Sequence, residues 1–161
     1  MKYKNTLLKA TRTFIYAFLT FVMLSSCKKE SMETEDFLIF GHFYGMCFGE
    51  ECVETFKLTE DKLYEIDKDD YAHEVFNFKE LSEVQFKAAD GLIEQIPEEI
   101  QSSHLQTFGC PDCADQGGIY IQYKSADDFK IWRIDQSKSN IPEFLHDFVD
   151  EVNATIAETN S

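Results

Sequence analysis

The chain lacks the short motifs that identify the common enzyme classes. It has no Gly-x-Ser-x-Gly nucleophile elbow, no His-Glu-x-x-His zinc motif and no phosphate-binding loop. Gly41, Gly45 and Gly49 recur at intervals of four residues, but without the Lys-Ser/Thr pair that a phosphate loop needs. Carboxylates are so numerous that no pair of them stands out as a general acid and base. We therefore predict a non-enzymatic protein without a cofactor.

Basic residues are also few. The chain has 15 Lys and Arg against 30 Asp and Glu, which gives a formal net charge of −15 at pH 7. Such a surface repels phosphate backbones, so the charge argues against nucleic acid as a partner. The excess of carboxylates suits solubility, cations or a basic partner and does not distinguish between them. The 15 Phe, 7 Tyr and single Trp argue against a disordered chain.

A long apolar run is missing as well. The run at residues 14–24 has 11 residues and is interrupted only by Thr20, whereas a membrane-spanning helix needs about 20. Residues 1–12, which precede it, carry four basic side chains and no acid. A basic segment followed by a short apolar one is typical of a secretory signal peptide. A short N-terminal anchor helix is the alternative.

Leu24-Ser25-Ser26-Cys27 follows this run and resembles the lipobox of bacterial lipoproteins, in which the chain is cut before the cysteine. The resemblance implies that residues 1–26 are a signal peptide. It also implies that Cys27 becomes a lipidated N-terminus with two or three acyl chains such as palmitate, and that residues 27–36 form a charged tether. One acyl chain binds a bilayer weakly, but several together anchor a protein firmly.

This resemblance predicts a location. We expect a protein held by its lipid anchor in the bacterial cell envelope, at the outer membrane, on either its periplasmic or its surface face. Loss of the signal, with four basic residues and no acid, would change the formal net charge from −15 to −19. The charged tether resembles the surface-export signals of some Gram-negative lipoproteins. It is equally explained as a solvated spacer.

Residues 37–161 predict a single α+β domain. Alternating or continuous apolar runs predict strands at 37–44, 53–58, 62–67, 119–124 and 129–135, and the segments 74–78 and 104–108 are candidates for a further short strand. A middle helix is expected to begin at Ser82, with Gln85 completing a capping box, and to end at Pro97. A C-terminal helix is expected after Asn140 as cap, with Pro142 in its first turn. We predict two layers, an antiparallel sheet of five to six strands packed by these two helices.

Four further cysteines lie in turns between apolar segments, as the pairs Cys47 with Cys52 and Cys110 with Cys113. In an exported chain an even set of cysteines indicates disulfide bonds, and four cysteines allow three pairings. Closing a local loop removes about 2 kcal/mol of unfolded-state entropy, whereas joining the two turns closes roughly 60 residues and removes about 4 kcal/mol. Loop entropy therefore weakly favours bonds between the turns, and local bonds remain open.

Two other chemistries compete for these turns. Four thiolates, with His42 or His104 nearby, are suited to zinc, although an oxidising compartment disfavours free thiolates and each histidine is also explained as a structural residue. Cys110-Pro111-Asp112-Cys113 superficially looks like the dithiol of the thioredoxin family. In that family the motif opens a helix, whereas here a Gly-Gly turn leads into a predicted strand.

A calcium site is the last option that the turns suggest. If the two turns are joined, the carboxylates of Glu50, Glu51, Asp112 and Asp115 come into one region, and oxygen ligands at that density suit Ca²⁺. The spacing is not that of an EF-hand, and a solvated acidic rim explains the same residues.

The turn at residues 109–118, Gly-Cys-Pro-Asp-Cys-Ala-Asp-Gln-Gly-Gly, is similar to that of small Gram-negative envelope lipoproteins with no assigned activity. This second resemblance implies a location and no reaction. We predict a lipid-anchored, disulfide-stabilised binding or structural module. Its partner would be a protein or another envelope component, engaged through the cysteine turns or an exposed sheet face. A metal-binding protein and a thiol-disulfide oxidoreductase are the alternatives.

Overall fold

The computed structural model describes residues 36–45, 53–66, 73, 77–126 and 128–161. In these residues one sheet contains seven strands in the order β4-β3-β2-β1-β6-β7-β5. The strands are β1 (Phe37–Phe43), β2 (Val53–Leu58), β3 (Leu63–Ile66), β4 (Phe78–Glu80), β5 (Thr107–Phe108), β6 (Gly118–Ser125) and β7 (Asp128–Asp135).

β1 lies in the middle of the sheet because it is apolar on both faces. Leu38 and Phe40 are fully buried on one face, and Ile39 and Phe43 are buried on the other. Phe40 pairs across the sheet with Phe56 of β2 and with Ile121 of β6. The run of apolar residues at 37–44 therefore forms a buried central strand, as the sequence predicts.

Helices cover one face of this sheet. They are α1 (Glu83–Ala89), α2 (Glu98–Ser102) and α3 (His146–Thr159). The C-terminal helix α3 packs a stripe of apolar side chains into the main core, where Phe148, Val149, Val152 and Ile156 join Leu38 and Trp132. The predicted two-layer α+β architecture is confirmed.

The strand count and one strand direction differ from the prediction. The sheet has seven strands rather than five to six, and β5 runs parallel to β7 instead of antiparallel. β5 is reached from a helical segment and not from a hairpin, so its direction is not set by a tight turn. The Arg133 N–H donates to the Gln106 carbonyl at 2.8 Å and aligns the two strands.

The middle helix is shorter than predicted. Its start is confirmed, because Ser82 and Gln85 form the reciprocal hydrogen bonds of a capping box. It ends at Ala89, since Gly91 adopts a φ of +88°, which lies outside the helical region. A 3-10 turn follows, and Pro97 precedes α2 instead of ending the segment.

The C-terminal helix begins later than predicted. Pro142 opens a 3-10 turn, and the regular α3 starts at His146. Asn140 does not cap the helix, because its side-chain amide donates to Asp135 Oδ2 at 2.8 Å. The position that the sequence assigns to a helix cap therefore serves the end of β7.

Residues 1–35, with the predicted signal peptide and Cys27, lie outside the described residues. Asp36, the last residue of the predicted tether, accepts hydrogen bonds from the Ala126 N–H at 2.7 Å and the Ser125 hydroxyl at 3.2 Å. The start of the domain is thus fixed to the turn between β6 and β7. In the described ranges no helix is both long and apolar enough to cross a bilayer.

Candidate functional site

The cysteine loop, residues 109–118, connects β5 to β6. The structure joins Cys110 to Cys113 by a disulfide bond with a Cα–Cα distance of 5.5 Å. The Cys113 N–H donates to the Cys110 carbonyl at 3.2 Å and closes a tight turn. Both half-cystines are exposed to solvent.

For Cys110 and Cys113 the structure has the local pairing, which the sequence left open, and not the pairing between the two turns that loop entropy weakly favours. The turn places their Cα atoms within the range that a disulfide requires, and this geometry decides the pairing against the small entropic advantage of a longer loop. Cys47 and Cys52 lie outside the described residues. A zinc site that uses Cys110 and Cys113 as thiolates is incompatible with the bond between them.

The Asp112 carboxylate fixes the loop against the end of β1. Asp112 adopts a left-handed φ of 59°, which aspartate tolerates better than most residues. Its two oxygens accept hydrogen bonds from the Gly45 N–H at 2.8 Å and the Gly117 N–H at 3.1 Å. Its own N–H donates to the Gly117 carbonyl at 2.9 Å. The residue is used to shape the loop.

The Asp135 carboxylate anchors the loop from the other side. Its side chain is fully buried at the end of β7 and accepts three hydrogen bonds. The donors are the Cys110 N–H at 3.0 Å, the Ser137 N–H at 2.8 Å and the Asn140 amide at 2.8 Å. Burial alone would raise the pKa of Asp135, but the bonds from Ser137, Asn140 and Cys110 outweigh it and hold the pKa below its ordinary value.

Gly109 permits the close approach of the loop to β7. It adopts a φ of +74°, and a Cβ at this position would lie 2.6 Å from the Asp135 Cβ. Only glycine meets both conditions without displacing the carboxylate.

A pocket of about 270 Å³ opens beside the cysteine loop. Its volume lies just below the roughly 300–1,000 Å³ typical of small-molecule sites, so it suits a small group and not a nucleotide cofactor. Residues of β1, β5, β7 and the cysteine loop form its wall. They are Phe43, Thr107, Gly109, Cys110, Pro111, Cys113 and Arg133.

Arg133 is the charged residue of this pocket. Its guanidinium carbon lies 5.7 Å from the centroid of the Phe43 ring, close enough for a cation–π contact. Arg133 forms no ion pair with any residue that the structure describes. A planar guanidinium that is always charged and carries several N–H donors is suited to binding an anionic group.

Aromatic rings support the Phe43 wall of the pocket. The His73 ring stacks on Tyr120 with centroids 3.8 Å apart and meets Phe43 edge-on at 6.1 Å. Burial raises the pKa of Tyr120, and the positive charge of Arg133, its cross-strand neighbour, opposes this shift. The cluster holds Phe43 in a fixed position beneath the guanidinium.

Sequence reasoning missed Arg133. A signal was present, because Arg133 is the only arginine after Arg12 and every other basic residue in that part of the chain is lysine. Reasoning from motifs gave no weight to this single guanidinium.

The predicted metal ligands that lie in the described part of the chain do not form a metal site. In the described part of the chain no three histidine, cysteine or carboxylate side chains cluster as a metal site would require. Glu50 and Glu51 lie outside it, and Asp112 and Asp115 stand in the cysteine loop, the latter exposed. His42 Nε2 lies 2.6 Å from the Asn153 amide oxygen, which joins β1 to α3. His104 is exposed on the segment before β5.

No protein-family model, curated protein or solved structure matches the chain.

The Asp135→Asn variant tests the anchor of the loop. At least one of the three N–H donors would then face an amide NH₂ group, which cannot accept, and we expect a loss of about 1–3 kcal/mol in the free energy of unfolding at pH 7. Since the folded-state pKa is lowered, the ionised carboxylate stabilises the fold above the unfolded pKa of about 3.9 and loses this effect as the pH falls through the folded pKa. The difference between the variant and the wild type should accordingly shrink in acid.

Denaturant unfolding at several pH values gives this difference, with Asp115→Asn as the matched control. Asp115 is exposed, and asparagine tolerates its φ of 56°, so the control should change stability by less than about 0.5 kcal/mol. An Asp135→Asn variant as stable as the wild type at pH 7 would contradict the role assigned to the carboxylate.

Proposed function

We propose that this protein is a lipid-anchored protein of the bacterial envelope whose folded domain is a non-enzymatic binding module. The binding surface is the pocket beside the cysteine loop, and the partner is a protein or another envelope component. The observation that carries the proposal is the pocket itself, an open concave surface of about 270 Å³ on a strongly acidic domain.

The composition of the pocket supports recognition. Phe43 and Pro111 provide apolar contact area, while Thr107 and Arg133 provide a hydroxyl and a guanidinium. A mainly apolar pocket with a few placed polar groups is the usual form of a binding site. This set contains no carboxyl or imidazole group, so it is better suited to holding a ligand than to proton transfer.

The rigidity of the loop is a second support. The carboxylates of Asp112 and Asp135 accept hydrogen bonds that hold the loop to the end of β1 and to β7. A preformed surface loses less conformational entropy when a partner binds than a mobile one does.

The lipid anchor is tested by replacing Cys27. In bacterial cells grown with an alkyne-tagged palmitate, the wild-type chain should be labelled and should remain in the membrane fraction, because acyl chains on Cys27 supply its membrane affinity. Cys27→Ala should lose the label, whereas Cys47→Ala, a matched control, should retain it. An unlabelled wild type, or a labelled Cys27→Ala variant, would contradict the anchor.

The binding surface is tested by photo-crosslinking in intact cells. A photoreactive amino acid at position 107, which lines the pocket, should form a discrete adduct on irradiation. The same amino acid at position 84 should form none, since Val84 is 79% exposed on α1 and is not part of the pocket wall. No adduct at position 107, or the same adduct at both positions, would contradict the assignment of the pocket.

Thiol–disulfide exchange at Cys110 and Cys113 is a second candidate function. It is favoured by the exposure of both half-cystines on the wall of a pocket that also contains Arg133, because a nearby cation stabilises a thiolate. Against it, Cys113 is followed by a turn and then by β6, so no helix N-terminus stabilises a thiolate at either cysteine.

The two candidates differ in what the disulfide is needed for. For a binding module, the Cys110→Ser/Cys113→Ser variant should lose about 2 kcal/mol of stability, as expected for a short closed loop, and should keep the crosslink at position 107. The reduced wild type should not accelerate reduction of a glutathione mixed disulfide. Catalysis that Cys110→Ser abolishes would instead establish the exchange reaction.

A further inference from the structure

We propose that the pocket beside the cysteine loop recognises a single carboxylate carried on a neutral, apolar body, and that Arg133 binds this carboxylate. The inference rests on the proposed function, because it names the chemistry of the ligand that the same pocket takes.

The guanidinium is the first argument. Arg133 is half-buried on the pocket wall and forms no ion pair within the described residues, in a chain where acids outnumber bases two to one. The closest acid along β7 is Asp135, which side-chain alternation places on the same face of the strand. The Asp135 carboxylate is already engaged by three N–H donors, so its charge is compensated without Arg133.

The shape of the site supports a carboxylate in particular. An arginine fork and a carboxylate match in a planar, two-bond geometry. The Phe43 ring lies under the guanidinium and restricts its orientation, so less rotamer entropy is lost when those bonds form.

The other residues of the pocket wall determine which chemical group can accompany the carboxylate. Phe43, Pro111 and the exposed disulfide offer an apolar surface of limited size beside the guanidinium. A branched aliphatic group next to a carboxylate fits this description. Such a group occurs at the C-terminus of a polypeptide and in small free aliphatic acids.

The net charge of the protein excludes more highly charged ligands. A formal charge of −15 repels polyanions at long range, and one guanidinium does not compensate for several phosphates. Among anions that could contact Arg133, a ligand with one negative charge is repelled least by the acidic protein.

The test uses the mature lipidated protein, residues 27–161, in detergent micelles, titrated with N-acetyl-leucine and with N-acetyl-leucinamide. The two probes share an apolar body and differ in the carboxylate. NMR chemical shifts of the Gly109 amide and of the Arg133 Nε–H report binding in the pocket. We expect N-acetyl-leucine to bind at least about tenfold more tightly than the amide. One charge-assisted contact of about 1.4 kcal/mol provides this factor.

Two variants locate the carboxylate. Arg133→Gln keeps a polar side chain without the charge and should reduce the preference for N-acetyl-leucine to less than about twofold. Lys130→Gln removes a positive charge from the same strand outside the pocket wall and should leave the preference unchanged. Because the comparison of the two probes uses the wild-type chain, the test stands even if Arg133→Gln does not fold.

The outcomes separate the inference from the function it rests on. Equal binding of both probes to the wild type would overturn the carboxylate assignment and leave the pocket as a binding site. Shifts from neither probe would overturn the carboxylate inference, whereas the pocket as a binding surface for a partner is overturned only by the absence of the crosslink at position 107. A preference that survives in Arg133→Gln would place the carboxylate elsewhere and overturn the inference. A peptide of four residues ending in leucine identifies the source, since tighter binding with length indicates a chain terminus and equal binding indicates a small acid.

Discussion

The buried carboxylate of Asp135 holds together three parts of the chain, namely the cysteine loop, the end of β7 and the turn that precedes α3. A buried charge is costly unless hydrogen bonds compensate it, and here the Cys110 N–H, the Ser137 N–H and the Asn140 amide do so. The position of the loop against β7 depends on this group, as its position against the end of β1 depends on Asp112. The pocket depends on the same contacts, because residues of the loop form part of its wall.

The same interaction explains why Arg133 has no ion-pair partner among the described residues of a strongly acidic domain. N–H donors stabilise the charged Asp135 carboxylate, and the Asp112 carboxylate likewise accepts hydrogen bonds from the backbone of Gly45 and Gly117. These two carboxylates thus maintain the shape of the loop. The Arg133 guanidinium contacts the Phe43 ring, and Arg133 lines the pocket.

Periodicity predicted the fold well and the site poorly. Alternation and the α3 stripe placed the strands, the helix and the two layers, because burial of an apolar face is a local property of sequence. The parallel direction of β5, the early end of α1 at Ala89 and the Cys110–Cys113 pairing depend on turn geometry and on contacts between distant residues. Asn140 illustrates the limit of local sequence patterns. Its position predicts a helix cap, but its side-chain amide donates a hydrogen bond to Asp135.

The most direct test of this account is the titration of the Asp135 carboxyl carbon, followed by ¹³C NMR in the full-length protein. Three hydrogen bonds to the ionised form outweigh burial, so the account predicts a pKa below the ordinary value of about 3.9 for aspartate. A pKa at or above that value would mean that the carboxylate is not held by these donors. The loop, and the pocket beside it, would then need another explanation.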